Sequence, residues 1–183
     1  MAIKDFNAES YYWIIDKCAK EKMNFEISNG DSTHAIYLLN TFFKYAKKEI
    51  CIYTGSLSDS IFGSEQLIGT AINFLKRDKD ATVKIVFQES IDRESILSRK
   101  FIRSILDNKL IKNRLKVWTA SSVFNAITNH FALMDGLAYR FETDHEQKKA
   151  IANFGDLASA ETLKKAFSDI ISSKNSKEIV LTC

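Results

Sequence analysis

Glu49-Ile50-Cys51-Ile52-Tyr53-Thr54, running straight into Gly55-Ser56-Leu57-Ser58, is the stretch on which the fold turns. A short, apolar, β-prone run ending at a glycine between polar residues reads as a buried strand delivered into a loop. Upstream, Asn29-Gly30-Asp31-Ser32 closes a short extended segment at 24–28. It offers an Asp or Ser cap to a helix on which Ile36, Leu39, Phe43 and Ala46 recur at helical spacing. Downstream, Leu67, Ile68, Ala71, Phe74 and Leu75 predict a helix over about 64–76, and Thr82-Val83-Lys84-Ile85-Val86-Phe87 predicts a second buried strand. A third helix, over about 94–106 with Leu97, Phe101 and Ile105 on one side, leads to a third strand, Leu115-Lys116-Val117-Trp118-Thr119. Such a β-α-β-α-β series implies neighbouring parallel strands joined by right-handed crossovers.

The last third changes rhythm. Phe131-Ala132-Leu133-Met134, Ala138-Tyr139-Arg140-Phe141 and Ala150-Ile151-Ala152-Asn153-Phe154 read as short strands, the first two joined at an Asp135-Gly136 hairpin turn. Gly155-Asp156 opens a final amphipathic helix over about 157–171, with Leu163, Ala166, Phe167 and Ile170 apolar, and 178–181 reads as an edge strand or docking tail. The expected fold class is therefore α/β, with a mixed β-sheet and helices on both faces. There is no proline, no Gly/Ser-rich run and no repeat, so residues 1–183 read as a single domain. Tyr11-Tyr12-Trp13-Ile14-Ile15 belongs to an N-terminal helix expected to dock on that core rather than to stack on bases.

Composition narrows the function classes. With 183 residues and 45% hydrophobic content the chain can bury a sizeable core, which excludes disorder. No apolar run nears the ~18 to 20 residues of a membrane-spanning helix, and no membrane partner is expected. The segment Met1 to Asn7 lacks a charged-then-apolar signal, and Cys18, Cys51 and Cys183 form no even framework, which points to a reducing cytoplasm. Together with His34, His130 and His145 these cysteines show no metal-ligand spacing, so neither a metal nor a cofactor is expected. The net charge of +3 is mild, but residues 92–116 carry eight basic side chains against three acidic ones. Arg93, Arg99, Lys100, Arg103, Lys109, Lys112, Arg114 and Lys116 make either an ordinary solvated helix face or a surface for phosphates.

Polar residues converge in the last third. His130 begins one strand and Asp135 ends it; Arg140, Glu142 and Asp144 alternate along the next and share a face if the strand persists; Asn153 and Asp156 flank the end of a third. Each also has an ordinary reading. His130 can bond a loop carbonyl, Asp135 suits a turn, Asp156 suits a helix cap, and Arg140 with Glu142 or Asp144 suits a cross-strand ion pair. Gly55-Ser56-Leu57-Ser58 follows the first strand of the parallel series, where α/β sheets place ligands, and is either a phosphate-facing loop or an ordinary one.

The order of elements, with Asn129-His130-Phe131-Ala132-Leu133-Met134-Asp135-Gly136 followed by Ala152-Asn153-Phe154, resembles the phospholipase D superfamily over roughly residues 30–172. In that family a strand carries His-x-Lys-x4-Asp, a Gly-Ser-x-Asn segment returns to the same site, and the histidine forms a phosphohistidine with no metal. By position only His130 and Asn153 match. The family lysine is Ala132 here, the carboxylate falls five rather than seven residues after His130, and Ile151-Ala152 replaces the Gly-Ser pair. The resemblance implies a single phospholipase D-like lobe that pairs as a homodimer. It also implies a metal-independent phosphodiesterase or nuclease in which His130 is nucleophile, Asn153 its neighbour, Asp135 or Glu142 an orienting carboxylate and Arg140 the phosphate clamp. Arg99, Lys100 and Arg103 would supply further phosphate contacts. The missing lysine supports the alternative, a catalytically silent lobe that binds nucleic acid or a partner protein through the face at 93–116. By association, a small divergent lobe rich in Lys, Asn and Ile suits a bacterial defence or mobile-element system, beside a larger protein partner.

Overall fold

A computed structural model of the chain describes residues 8–144 and 149–181. His145, Cys183 and the segment before residue 8, on which the expectation of no signal sequence rests, lie outside the described residues. The elements in chain order are α1 (Ala8–Glu21), β1 (Ile27–Asn29), α2 (Ser32–Tyr45), β2 (Glu49–Thr54), α3 (Asp59–Phe62), α4 (Glu65–Arg77) and β3 (Thr82–Phe87). They continue with α5 (Arg93–Ser98), α6 (Lys100–Leu106), β4 (Leu115–Thr119), β5 (Phe131–Met134), β6 (Ala138–Asp144), β7 (Lys149–Asn153), α7 (Leu157–Ser172) and β8 (Lys177–Ile179).

One eight-stranded sheet runs β1-β7-β6-β5-β2-β3-β4-β8. β2, β3 and β4 are parallel neighbours, as the alternation of strand and helix predicts, and the remaining pairings are antiparallel. The fold is thus α/β with a mixed sheet. One face carries the larger core, in which Ile50, Ile52, Val83, Ile85 and Ala132 meet Ile15 of α1, Leu38 and Phe42 of α2, Phe74 of α4 and Phe101 of α6. The other face carries Cys51, Tyr53, Phe131 and Leu133 against Ala160, Phe167 and Ile170 of α7. Burying Phe167 and Ile170 contributes roughly 1.5–3 kcal/mol each, which is what holds α7 down.

Local signals explain most element ends. Asp31 caps α2 by accepting the His34 N–H at 2.8 Å, Asp92 caps α5 through Ser95 N–H at 2.8 Å, and Asp156 caps α7 through Ser159 N–H at 3.2 Å. At the other end of α2, the Arg77 guanidinium donates to the carbonyls of Phe43, Lys44 and Ala46 at 2.6–3.1 Å, satisfying acceptors that the helix itself leaves open. The hairpin between β5 and β6 turns on Asp135 (φ +53) and Gly136 (φ +63), both left-handed as a tight primed turn requires.

One predicted element differs. The helix expected over 94–106 is two, broken at Arg99, whose ψ of 123° is extended. Ile96 and Phe101 are both fully buried, yet on a continuous helix they would point about 140° apart; the break turns both inward. α1 docks as expected: Tyr11 and Ile15 are buried and the Tyr11 hydroxyl donates to Ser28 O at 2.9 Å. No helix among the described residues is long and apolar enough to cross a membrane.

Candidate active site

The antiparallel register of β5 and β6 sets Ala132 opposite Arg140 and Phe131 opposite Phe141. It carries the residue before β5, His130, level with Glu142, whose N–H donates to His130 O at 2.8 Å. Alternation then puts Ala132, Arg140, His130 and Glu142 on the face that also carries α2 and α3. The His130 Nδ1 and Glu142 Oε2 atoms are 2.8 Å apart, with both side chains largely buried. The Gly55 N–H donates to His130 Nε2 at 3.0 Å. With Nε2 accepting, the ring proton sits on Nδ1, facing the carboxylate.

Arg140 completes the group. Its Nε donates to Asn29 Oδ1 at 2.7 Å, and a terminal nitrogen lies 4.0 Å from Glu142 Oε1. Asn29, itself buried, donates onward to Asp31 O at 2.8 Å, so β1 and the head of α2 together orient the guanidinium. Burial pulls the Arg140 pKa down from its usual value and the neighbouring Glu142 and Tyr11 oppose that fall; an arginine so placed keeps its charge. Burial in turn pushes the Tyr11 phenol well above its ordinary range, against the lowering effect of Arg140.

His130, Arg140 and Glu142 line one pocket of about 230 Å³. Its floor includes Ala132, His130, Arg140 and Glu142; its wall is the loop after β2 and the start of α3, with Ser56, Ser58 and Ser60; Asp31 and Ser32 sit at its rim. Leu57 explains the wall. Its backbone is left-handed (φ +50) and its side chain fully buried, which leaves Ser56 and Ser58 exposed on either side of it. A Cβ at Gly55 would lie 3.0 Å from His130 Nε2 and 3.2 Å from Gln88 Oε1, so any larger residue there crowds both side chains. The loop Gly55-Ser56-Leu57-Ser58 therefore does border a polar pocket.

Two sequence-level candidates are placed elsewhere. Asp135 sits at the end of β5 remote from His130, where its carboxylate accepts the N–H groups of Lys47, Lys48 and Glu49 at 2.7, 2.8 and 2.9 Å. It anchors the entry to β2, a task set by the hairpin geometry, and does not line the pocket. Asn153 is paired with Tyr139, on the α7 face of the sheet and away from the histidine. Its amide accepts the N–H groups of Gly155 and Asp156, both at 2.9 Å, and donates to Asn24 Oδ1 at 2.9 Å, so it shapes the turn into α7. The residue that matches the family asparagine by position thus does not line a pocket with His130. A bulge between Glu142 and Asp144 also ends the alternation there, and Asp144 does not line the pocket.

The basic stretch is largely outside the pocket as well. Lys100 is ion-paired with Glu65, Arg114 caps α4 through the carbonyls of Leu75 and Asp78, and Arg93 Nε donates to Val180 O at 2.9 Å. Arg99 is partly buried at the helix break, while Arg103, Lys109, Lys112 and Lys116 are exposed. None of them lines the pocket. A groove of about 390 Å³ on the opposite face, between α7 and β6–β7, is lined by Tyr139, Phe141, Ile151 and Leu163 and carries no acid, base or cation. Among the described residues no three His, Cys, Asp or Glu side chains converge as a metal site would require.

Sequence reasoning missed Asn29, read as part of a turn, and Gln88, which directly follows β3 and whose Oε1 lies 3.2 Å from His130 Nε2. The position of Gln88, outside the carboxyl end of a parallel strand beside β2, is the signal that could have found it.

No family model and no curated protein matches the sequence. Solved structures do match by shape. Nuc from Salmonella typhimurium, a phospholipase D family member, superposes with a TM-score of 0.53 at 14% identity, over 85% of this chain and 96% of that one. NucT from Helicobacter pylori gives 0.55 at 12% identity, over 81% and 98%. TrmBL2, an archaeal chromatin protein with its own mode of DNA binding, gives 0.60 at 10% identity, over 93% of this chain but 62% of that one. At these identities the likeness is one of fold: the chain has a phospholipase D-like α/β lobe.

Proposed function

We propose that this protein is a divergent phospholipase D-like phosphodiesterase that cleaves nucleic acid without a metal. The observation that carries this reading is the sharing of one pocket by His130, Glu142 and Arg140, with Arg140 directly across the β5–β6 ladder from Ala132. Ala132 stands where the resembling family has its lysine, so the cation has been moved to the adjacent strand and still faces the same space. In the reaction, His130 Nε2 attacks phosphorus and the bond from phosphorus to the leaving sugar oxygen breaks, giving a phosphohistidine. Glu142 holds the Nδ1 proton and stabilises the positive charge that grows on the ring, and Arg140 offsets the charge of the phosphate. Gly55 gives up its bond to Nε2 as substrate enters, and its N–H turns to a phosphate oxygen. The leaving oxygen takes its proton from a second histidine, supplied by another copy in the homodimer that the resemblance implies. Water, giving its proton back to that second histidine, then attacks phosphorus; the bond from phosphorus to Nε2 breaks and the product leaves. Neither Asp135 nor Asn153 has a part in these steps.

The cleaving protein would work in the cytoplasm, and a place in bacterial defence or a mobile element, beside a larger protein, is consistent with its size. A similar fold, that of a DNA-binding chromatin protein, supports a nucleic-acid substrate. The test is cleavage of labelled single- and double-stranded DNA and RNA in excess EDTA, by this protein and by His130→Ala. Activity that survives chelation and is lost in the variant is the expected result.

A second reading rests on a specific observation: Nε2 already accepts the Gly55 N–H, and Arg103, Lys109, Lys112 and Lys116 are exposed away from the pocket. A silent lobe would use that face alone to bind nucleic acid or a protein. A salt-sensitive gel shift with no cleavage by either protein would select this reading.

A further inference from the structure

Gln88 is pinned from both ends. Its backbone N–H donates to Thr54 O at 2.9 Å, and its side-chain nitrogen donates to Ile127 O at 2.5 Å. A carbonyl only accepts, so the nitrogen of the amide has to face Ile127, and the Gln88 oxygen is turned toward His130 Nε2, 3.2 Å away. The same Nε2 receives the Gly55 N–H at 3.0 Å. A donor and an acceptor therefore converge on one ring nitrogen. Without a proton Nε2 satisfies Gly55 and faces the Gln88 oxygen unfavourably; with a proton it satisfies Gln88 and faces the Gly55 N–H unfavourably. In both forms Nδ1 keeps its proton toward Glu142.

We propose that Gln88 and the Gly55 amide are positioning groups that divide His130 between two states, the neutral ring with a lone pair on Nε2 and the imidazolium with a proton there. The idea deepens the proposed function, since it rests on His130 being the reacting group. Attack on phosphorus needs the first state, and protonation of a leaving oxygen by the second copy needs the other. One constellation would thereby serve both roles. The charged groups that face this histidine are Glu142 and, beside it, Arg140 from β6, and Asp31 from the head of α2; the loop after β2 and the start of α3 present the hydroxyls of Ser56, Ser58 and Ser60. All of these stay in place when Gln88 is changed.

The experiment is an NMR titration of the His130 ring in the full-length protein, in Gln88→Met and in Gln88→Glu, with His130→Asn identifying its signals. No substrate is present, so the outcome does not depend on turnover. Removing the acceptor in Gln88→Met should lower the titration midpoint by about one pH unit, and placing a carboxylate there in Gln88→Glu should raise it by about as much. Midpoints of both variants within about 0.2 unit of the unsubstituted protein, or shifts in the same direction, would overturn the proposal. If one variant fails to fold, the sign of the shift in the other decides. Absence of cleavage by the unsubstituted protein would remove the proposed function without touching these midpoints, so the two failures are distinguishable.

Discussion

Replacing Asp135 by alanine should destabilise the protein and leave its chemistry intact. The carboxylate accepts three backbone N–H groups, from Lys47, Lys48 and Glu49, at 2.7–2.9 Å, and the residue itself is left-handed at φ +53. Hydrogen bonds to a charged acceptor are worth about 1.5–3 kcal/mol each where water cannot take over. Lys47 and Lys48 are exposed and their amides re-solvate, whereas the Glu49 amide opens the half-buried start of β2, so most of the loss falls on Glu49. Alanine also pays about 1 kcal/mol to remain left-handed. Together the variant should lose roughly 3–4 kcal/mol, which for a chain of this length lowers the melting temperature by about 10 °C. Asp135→Asn keeps an acceptor oxygen and tolerates the left-handed backbone, and should lose about half as much. The assay is urea unfolding followed by two probes, with cleavage normalised to folded protein. Unchanged stability, or lost cleavage in a variant that melts like the parent, would show that Asp135 is not the anchor the hydrogen bonds make it.

Two further outcomes follow from named side chains. Arg140→Met should weaken binding of a 5′-phosphorylated oligonucleotide by about tenfold or more, and Ala132→Lys added to it should restore much of the loss, because the two positions face each other across the ladder. Equal affinity of Arg140→Met and parent, measured by fluorescence anisotropy, would dismiss Arg140 as the clamp. For Asp16, burial favours the protonated acid, but hydrogen bonds from Lys44 and Tyr45 outweigh it and hold the pKa below the ordinary 3.8. Its contribution is therefore present above that value and is lost as pH falls through the lowered pKa. Because the pair is partly exposed, Asp16→Asn should cost under about 1 kcal/mol at pH 7 and nothing in strong acid. A cost that is the same in urea melts at both pH values would point to packing instead.

Parts of the site could be read before any coordinates. The alternation of Arg140 with Glu142 is local, and residues two apart on a strand share a face whatever the strand pairs with. His130 joined them because a hairpin turn at Asp135-Gly136 dictates register, and register alone sets 132 against 140 and so 130 near 142. Asp135 and Asn153 stand apart from His130 for the complementary reason. The resemblance grouped both with His130, but one stands at the far end of β5 and the other on the far face of β7. The basic stretch differs again: its charges can be counted in the sequence, yet Arg114 and Lys100 have partners on α4 that are distant in sequence, while Arg103, Lys109, Lys112 and Lys116 stay exposed.

By itself, the sequence determined the element types, the parallel central strands, the hairpin and the two-faced sheet, because apolar period, caps and turn residues act over a few neighbouring residues. Only the tertiary structure decided that β1 would close the sheet beside β7 and bring Asn29 to Arg140, that the helix at Arg99 would break, and that Gln88 and Gly55 would meet on one ring nitrogen. Those contacts join residues some 40 to 110 positions apart. No local pattern encodes them, since they arise from which strands pair and in what order once the whole core is packed.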